Sequence, residues 1–299
     1  MTLIYFIYEI YYYGMDKFLK KKQYIDKIIE SAKEQVMTNI EFGGLVSSVN
    51  EIWGLKSISR NEIKRFLIKE YSFIEDEIKG DHSYEIYYRP GTKIDFFDVA
   101  AVRSRGSYFS YYSAIYINNL TLQIPKQIYL TLERKSLEHN NNILKQENID
   151  RVFSKPPRVT SNKRNYKNFD INFINGQYQN LIGITKFRDQ YAVSDIERTL
   201  IDISVRPFYS GGVTQVLEAY VNAKGRLDPQ KFMDYYSQLN YTYPYHQVIG
   251  FYLEKAGYDT KICNEFLNFD DIEFNFYLTY NILHKEFSKK WRIYYPKGF

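Results

Sequence analysis

A single cysteine, Cys263, stands in a chain of 299 residues. It excludes an internal disulfide and leaves no thiol cluster for a structural metal. Histidine is nearly as scarce, and His82, His139, His246 and His284 are scattered without metal-ligand spacing. There is no glycine-rich phosphate loop ending in Lys and Ser or Thr, and no dinucleotide fingerprint follows a strand-like run. Long apolar runs are lacking too. Residues 1–14, MTLIYFIYEIYYYG, are too short to cross a bilayer, contain Glu9, and lack the basic start and small-residue cleavage site of a signal peptide. They read as a non-native or disordered extension, with Met15 as the natural start. The expectation is a cytoplasmic protein with no cofactor, no metal and no membrane partner.

Aromatic residues are abundant. With 31 Tyr and 21 Phe, they must supply much of the core and some adhesive surface. Against 35 acidic residues stand 40 Lys and Arg, a formal charge of +5; that balance is compatible with nucleic acid or an acidic partner and argues for neither. Two acidic groups, Asp270, Asp271 and Glu273, and Asp195, Glu197 and Asp202, lack the spacing of a two-metal site. No catalytic residue is assigned, and the expectation is that the protein is not an enzyme.

The most legible stretch is 194–225, SDIERTLIDISVRPFYSGGVTQVLEAYVNAKG. Ser194 and Glu197 have capping-box spacing and predict a helix from Asp195. Ile196, Leu200 and Ile203 share one stripe, while Arg198 and Asp202, four apart, are placed to pair on a separate polar face. Pro207 stops this helix and Gly211-Gly212 permits a sharp turn. A second helix from about Val213 then presents Val213, Val216, Leu217, Tyr220 and Val221 as an apolar face and ends at Gly225.

Upstream, residues 16–35 read as a helix with Phe18, Tyr24, Ile25, Ile28 and Ile29 apolar. Gly43 and Gly44 mark a break, and an apolar segment with Leu45, Val49, Ile52 and Trp53 precedes Gly54. Ser59 and Glu62 form another capping box, opening a helix that turns Ile63, Phe66 and Leu67 inward and Arg60, Asn61, Lys64 and Arg65 outward. Residues 71–90 read as a hairpin around Gly80-Asp81. Helices followed by a hairpin over 15–94 are the order of a winged helix-turn-helix domain, in which the third helix enters the major groove. Ser59, Arg60, Asn61, Lys64 and Arg65 are the candidate DNA contacts. Opposite charges nearly cancel over 15–94, and Glu75, Asp76, Glu77 and Asp81 in the hairpin would repel phosphate. A protein-binding winged helix is therefore the alternative.

Residues 95–105 read as a helix ended by Gly106, 107–120 as a second helix capped by Ser107 or Ser110, and 123–134 as a strand. After a polar linker over 136–150 comes the strongest basic run of the chain, with Arg151, Lys155, Arg158, Lys163, Arg164 and Lys167. It is either a nucleic-acid or partner contact, with Phe153 and Tyr166 available to stack, or a solvated loop. Asn175-Gly176 predicts a hairpin turn. Asp228-Pro229 opens a helix, another follows Pro244 and ends at Gly257, and aromatic strands close the chain. His246, in the aromatic segment YPYHQ, reads as a hydrogen-bonded core histidine rather than a catalytic one.

The segments GSYFSYYSAIYINNLTLQIPKQIYLT, VSDIERTLIDISVRPFYSGGVTQVLEAY, LNYTYPYHQVIGFYLEKAGY and WRIYYPKGF together resemble the AbiEi family, the antitoxin half of the AbiE (type IV) toxin-antitoxin and abortive-infection phage-defence systems. The resemblance spans residues 95–299, and Arg198, Arg206, Gly211 and Gly212 match its motif. It implies an α+β protein, with a winged helix-turn-helix at 15–94 followed by a larger mixed α/β antitoxin domain at 95–299. It also implies a transcriptional regulator that binds inverted repeats in its own promoter and a domain that counteracts a cognate nucleotidyltransferase toxin. An orphan regulator or protein-interaction module without sequence-specific DNA binding is the other reading.

Overall fold

The computed structural model describes residues 20–32, 35–54, 58–89, 94–134, 144–188 and 190–299. Expectations for residues 1–14, Met15, Phe18 and 136–143 lie outside them. The chain divides into two units, Met1–Arg105 with Arg164–Tyr166, and Gly106–Lys163 with Lys167–Phe299. Both mix helix and strand. The first runs on past residue 94 and takes in one strand from the basic run.

In the first unit, helix α1 covers 20–31. A two-residue strand, β1 (Met37–Thr38), leads directly into α2 (Asn39–Trp53). Thr38 caps α2: its backbone N–H donates to Glu41 Oε2 at 2.8 Å, and its hydroxyl accepts from the Glu41 amide at 3.3 Å. Gly43 and Gly44 therefore lie inside a helix rather than at a break, and the helix stops where Gly54 adopts φ 70°. The overlooked signal was Thr38-x-x-Glu41; α2 tolerates the two glycines because it buries Phe42, Leu45, Val46, Val49 and Trp53.

Helix α3 (Arg60–Glu70) opens with the expected box, Ser59 N–H donating to Glu62 Oε2 at 2.8 Å. Strands β2 (Ile74–Gly80) and β3 (Tyr84–Tyr88) form the hairpin, and β1 pairs antiparallel with β3. Phe42 lies flat on Tyr87, ring centroids 4.2 Å apart, within a core that includes Ile25, Ile29, Ile63 and Leu67. Helix α4 (Phe96–Ala101), capped by Asp95, is shorter than the 95–105 expected.

The second unit holds a sheet in the order β7-β5-β4-β9-β8, built from β4 (Tyr108–Phe109), β5 (Gln127–Arg134), β7 (Phe169–Gln177), β8 (Ile184–Phe187) and β9 (Tyr191–Ser194). The basic-run strand β6 (Lys163–Tyr166) precedes β7. Residues 108–109 are thus strand, and only α5 (Tyr111–Ile117) is helical there. The linker reading is corrected as well: Gln146–Phe153 forms α6, burying Ile149 and Phe153. No hairpin occurs at Asn175-Gly176. β7 runs straight through them and pairs parallel with β5 from Gln127↔Asp170 to Arg134↔Gln177. A parallel pair demands a long crossover, so β7 cannot turn back on itself. A Cβ at Gly176 would stand 2.8 Å from Thr131 Cγ2, so the glycine serves close packing.

The helical layer begins with α7 (Ile196–Val205), continues through a 3-10 turn at Pro207–Tyr209 and α8 (Val213–Asn222), and adds α9 (Pro229–Leu239), α10 (Tyr245–Lys255) and α11 (Thr260–Leu267). Asp195, not Ser194, caps α7, its carboxylate accepting from the Arg198 amide at 2.9 Å. Ser194 ends β9, and its hydroxyl meets that of Thr199 at 3.0 Å. Gly225 adopts φ 75° but lies beyond the Ala223 cap of α8. Every residue of α10 from Tyr245 to Leu253 is buried, as befits a central helix. A small sheet, β10 (Phe276–Tyr277), β12 (Ile293–Pro296) and β11 (Lys285–Ser288), in that order, covers α10.

Candidate functional site

In the first unit, the apolar side of α3 is fixed by Ile63 and Leu67, both fully buried. That rotation leaves Arg60, Asn61 and Arg65 exposed on the other side. Ser59 is exposed, but its hydroxyl is committed to Glu62. Lys64 is also committed: its ammonium donates to Glu75 Oε1 at 2.7 Å and to the Tyr87 hydroxyl at 2.8 Å, tying α3 to the hairpin. The Lys64 bond, aided by the Tyr87 hydroxyl and opposed by burial, holds the Glu75 carboxyl below its ordinary value. Two of the hairpin's acids are therefore engaged from within, Glu75 by Lys64 and Asp76 by the Tyr166 hydroxyl at 2.7 Å. Glu77 and Asp81 are exposed.

The basic run is split. Lys163, Arg164 and Asn165 lie in β6, which pairs with β2 through Lys79↔Asn165 and Gly80↔Arg164, and the Arg164 guanidinium covers the Tyr84 ring at 4.8 Å. Arg151 lies on α6 and donates to Asn148 at 3.0 Å, while Lys155 and Arg158 are exposed in the second unit, as is Lys167. The run thus contributes residues to both units. Tyr166, expected to be available for stacking, is buried against Asp76, and Phe153 is buried among Tyr243, Phe276 and Tyr280.

The polar face read into α7 is not solvated. Arg198 is 2% exposed and sits at the centre of an ionic cluster. Its Nε donates to Asp202 Oδ1 at 2.9 Å, Nη1 to the Ile182 carbonyl at 2.7 Å, and Nη2 to Gln179 Oε1 at 2.7 Å and the Tyr108 hydroxyl at 3.2 Å. Glu133, from β5, lies 3.7 Å away and also accepts from the Gln179 and Leu181 amides. Burial works against the Arg198 charge, but Asp202 and Tyr108 outweigh it and hold the guanidinium firmly protonated. Burial pushes the Asp202 carboxyl up, against the pull of Arg198 and Arg206. With every partner a protein group, the cluster can clamp β5, the 179–182 turn and α7 together.

Arg206 caps α7 and donates from Nη1 to the Tyr111 hydroxyl at 3.2 Å. Asp195 and Glu197 meet the Lys231 ammonium at 2.9 and 2.8 Å, and Glu197 accepts from the Asp228 amide instead of reaching back to a cap. His246 is buried as expected, yet its Nε2 has no hydrogen-bond partner, a correction to the reading of a hydrogen-bonded ring. Burial lowers its pKa, so the imidazole is neutral. Cys263 is buried, and burial pushes its thiol up. Among the described residues no cluster of His, Cys, Asp or Glu has the form of a metal site, and no helix is long and apolar enough to cross a membrane.

No protein-family model matches the chain, and no curated protein matches it. The fold is similar to that in the crystal structure of the Rv2827c protein from Mycobacterium tuberculosis, with a TM-score of 0.56 over 87% of this chain and 86% of that one, at 10% identity. At that identity the likeness is one of fold alone.

Proposed function

We propose that the first unit is a winged helix-turn-helix that binds DNA through α3, and that the protein is an AbiE-type antitoxin that represses its own operon. The observation that carries the DNA-binding half is the strand pairing β1-β3-β2 behind α2 and α3, with Arg60, Asn61 and Arg65 outward on the capped helix. A helix presented this way has the dimensions to enter a major groove, where arginine reads guanine edges or phosphate and asparagine reads adenine. Arg164, opposite Gly80 of β2, adds positive charge next to the hairpin. Support for the antitoxin half is the resemblance of the second unit's motifs to AbiEi proteins. In this reading that unit works by contact and not by catalysis, because its buried charges on α7 are consumed by structural pairing.

A second reading has an observation of its own. The engagement of Lys64 by Glu75 removes one cation from the α3 surface, and Glu77 and Asp81 stay exposed, which favours a protein partner for the winged helix. Gel retardation on the DNA upstream of the gene, at low salt, separates the two. Retardation that is lost in Arg60→Ala and Arg65→Ala supports the repressor; none with the native chain removes it. Co-expression with a neighbouring nucleotidyltransferase-type protein, scored by growth, tests the antitoxin half independently.

A further inference from the structure

Among the cations of the second unit's helical layer, Arg206 is under-partnered. Arg198 has Asp202 at 2.9 Å, and Lys231 has both Asp195 and Glu197. Among the described residues no carboxylate forms an ion pair with Arg206, and its side chain makes one hydrogen bond, to Tyr111. A guanidinium carries five donors in a planar fork suited to phosphate or carboxylate. Most of that fork is without a protein acceptor, and the side chain is half-buried.

Phenols surround it. The Tyr111 and Tyr209 rings lie 5.3 Å apart, and Tyr129 closes on Tyr209 at 5.4 Å. The Tyr209 hydroxyl accepts from the Thr160 amide at 2.7 Å, which leaves its own proton to donate. Tyr245 and Tyr280 lie within electrostatic reach of the guanidinium, and among the described residues their hydroxyls make no hydrogen bond. Burial raises the pKa of Tyr245 and Tyr280, so both are neutral donors near pH 7. Phe208, Tyr243 and Tyr280 are half-buried, with Phe208 edge-on to Tyr280 at 5.8 Å, and they keep part of their aromatic surface accessible.

We propose that Arg206 and the tyrosines around it form a binding site for a nucleoside phosphate, the guanidinium and phenols holding the phosphate while Tyr243, Tyr280 and Phe208 offer surface to the base. The donor set is one guanidinium with neutral hydroxyls, which selects an anion. Aromatic side chains at its margin distinguish a nucleotide from inorganic phosphate, since any base has a face on which to stack. All the residues involved belong to the second unit, so the site stands whether or not the first binds DNA.

Isothermal titration calorimetry of the full chain with adenosine and guanosine 5′-monophosphates, inorganic phosphate and adenosine tests this. Saturable nucleotide binding is expected, about ten-fold tighter than that of either phosphate or adenosine, and weakened about ten-fold or more in Arg206→Gln. Because Arg206 precedes the Pro207 turn, Tyr280→Phe, which keeps the packed ring and removes only its hydroxyl, provides a second variant that should weaken binding several-fold with the thermal melt unchanged; Tyr243→Ala should weaken it as well, with its own melt read alongside because the ring packs on Phe153. A 5′-phosphorylated trinucleotide identifies the source: equal binding assigns the phosphate to a nucleic-acid end, and weaker binding to a free nucleotide. The proposal is overturned by absence of saturable heat at millimolar nucleotide, by equal affinity for inorganic phosphate, or by undiminished binding in all three variants.

Discussion

Arg198 shows how much one side chain can determine here. A buried ion pair contributes little relative to an apolar substitute, but removing one partner strands the other's charge. Arg198→Met should therefore destabilise the second unit by about 3–5 kcal/mol at neutral pH, measured by urea denaturation. The sign of the pH dependence follows from Asp202, whose carboxyl is raised by burial and restrained by Arg198. An acid raised on folding favours the folded state below its unfolded value and loses that contribution as pH rises through its folded value. Without Arg198 the raise is larger, so the deficit of the variant should shrink between pH 7.5 and pH 5. A deficit independent of pH would mean that Asp202 is not the stranded charge. Glu75 behaves in the opposite sense: its lowered carboxyl contributes above its ordinary value of 4.5 and loses that as pH falls. Lys64→Met should flatten this acid limb in the first unit.

At the scale of elements, caps and close contacts decide boundaries. Ser59→Ala removes the hydroxyl half of the α3 box, leaving the backbone N–H of residue 59 on Glu62, and should lower stability by about 1 kcal/mol, read in the same denaturation experiment. In α10, a Cβ at Gly250 would fall 2.1 Å from the ring of Trp291, which is 1% exposed. Gly250→Ala should therefore destabilise by about 1–3 kcal/mol, and adding Trp291→Leu should recover part of the loss; a loss unchanged in the double variant would exclude the ring as the cause. Helices with local signals were the readable ones. The Ser59 box, the Asp228 cap with Pro229, and Pro207 each act within a few residues, so their effects were evident without the fold. The Asn175-Gly176 pair misled because a favourable turn dipeptide competes with eight residues of parallel pairing to β5, and the pairing wins.

At the scale of the whole chain, the first unit is discontinuous, borrowing Arg164–Tyr166. A fragment ending at Arg105 would lack the partner of β2 at Lys79 and Gly80 and the Tyr166 bond to Asp76. Its β2 amides should exchange faster with deuterium than in the full chain; equal protection would show the borrowed strand to be dispensable. If the first unit binds DNA as proposed, Arg60→Ala and Arg65→Ala should each reduce the slope of log affinity against log salt by about 0.9 where the arginine meets phosphate. A slope unchanged with specificity relaxed would place that arginine on a base edge instead.

Periodicity, caps and proline positions, all properties of neighbours in the chain, sufficed for α3, the β2-β3 hairpin, α7, α9 and α10, and for the outward Arg60, Asn61 and Arg65. Tertiary structure alone decided that Arg198 and Asp202 are buried, that Lys64 belongs to Glu75, that the basic run is divided, and that tyrosines from distant segments converge on Arg206. The physical reason is range: a hydrogen bond within one turn of helix is written in adjacent letters, whereas burial of a charge depends on which distant strand or helix closes over it.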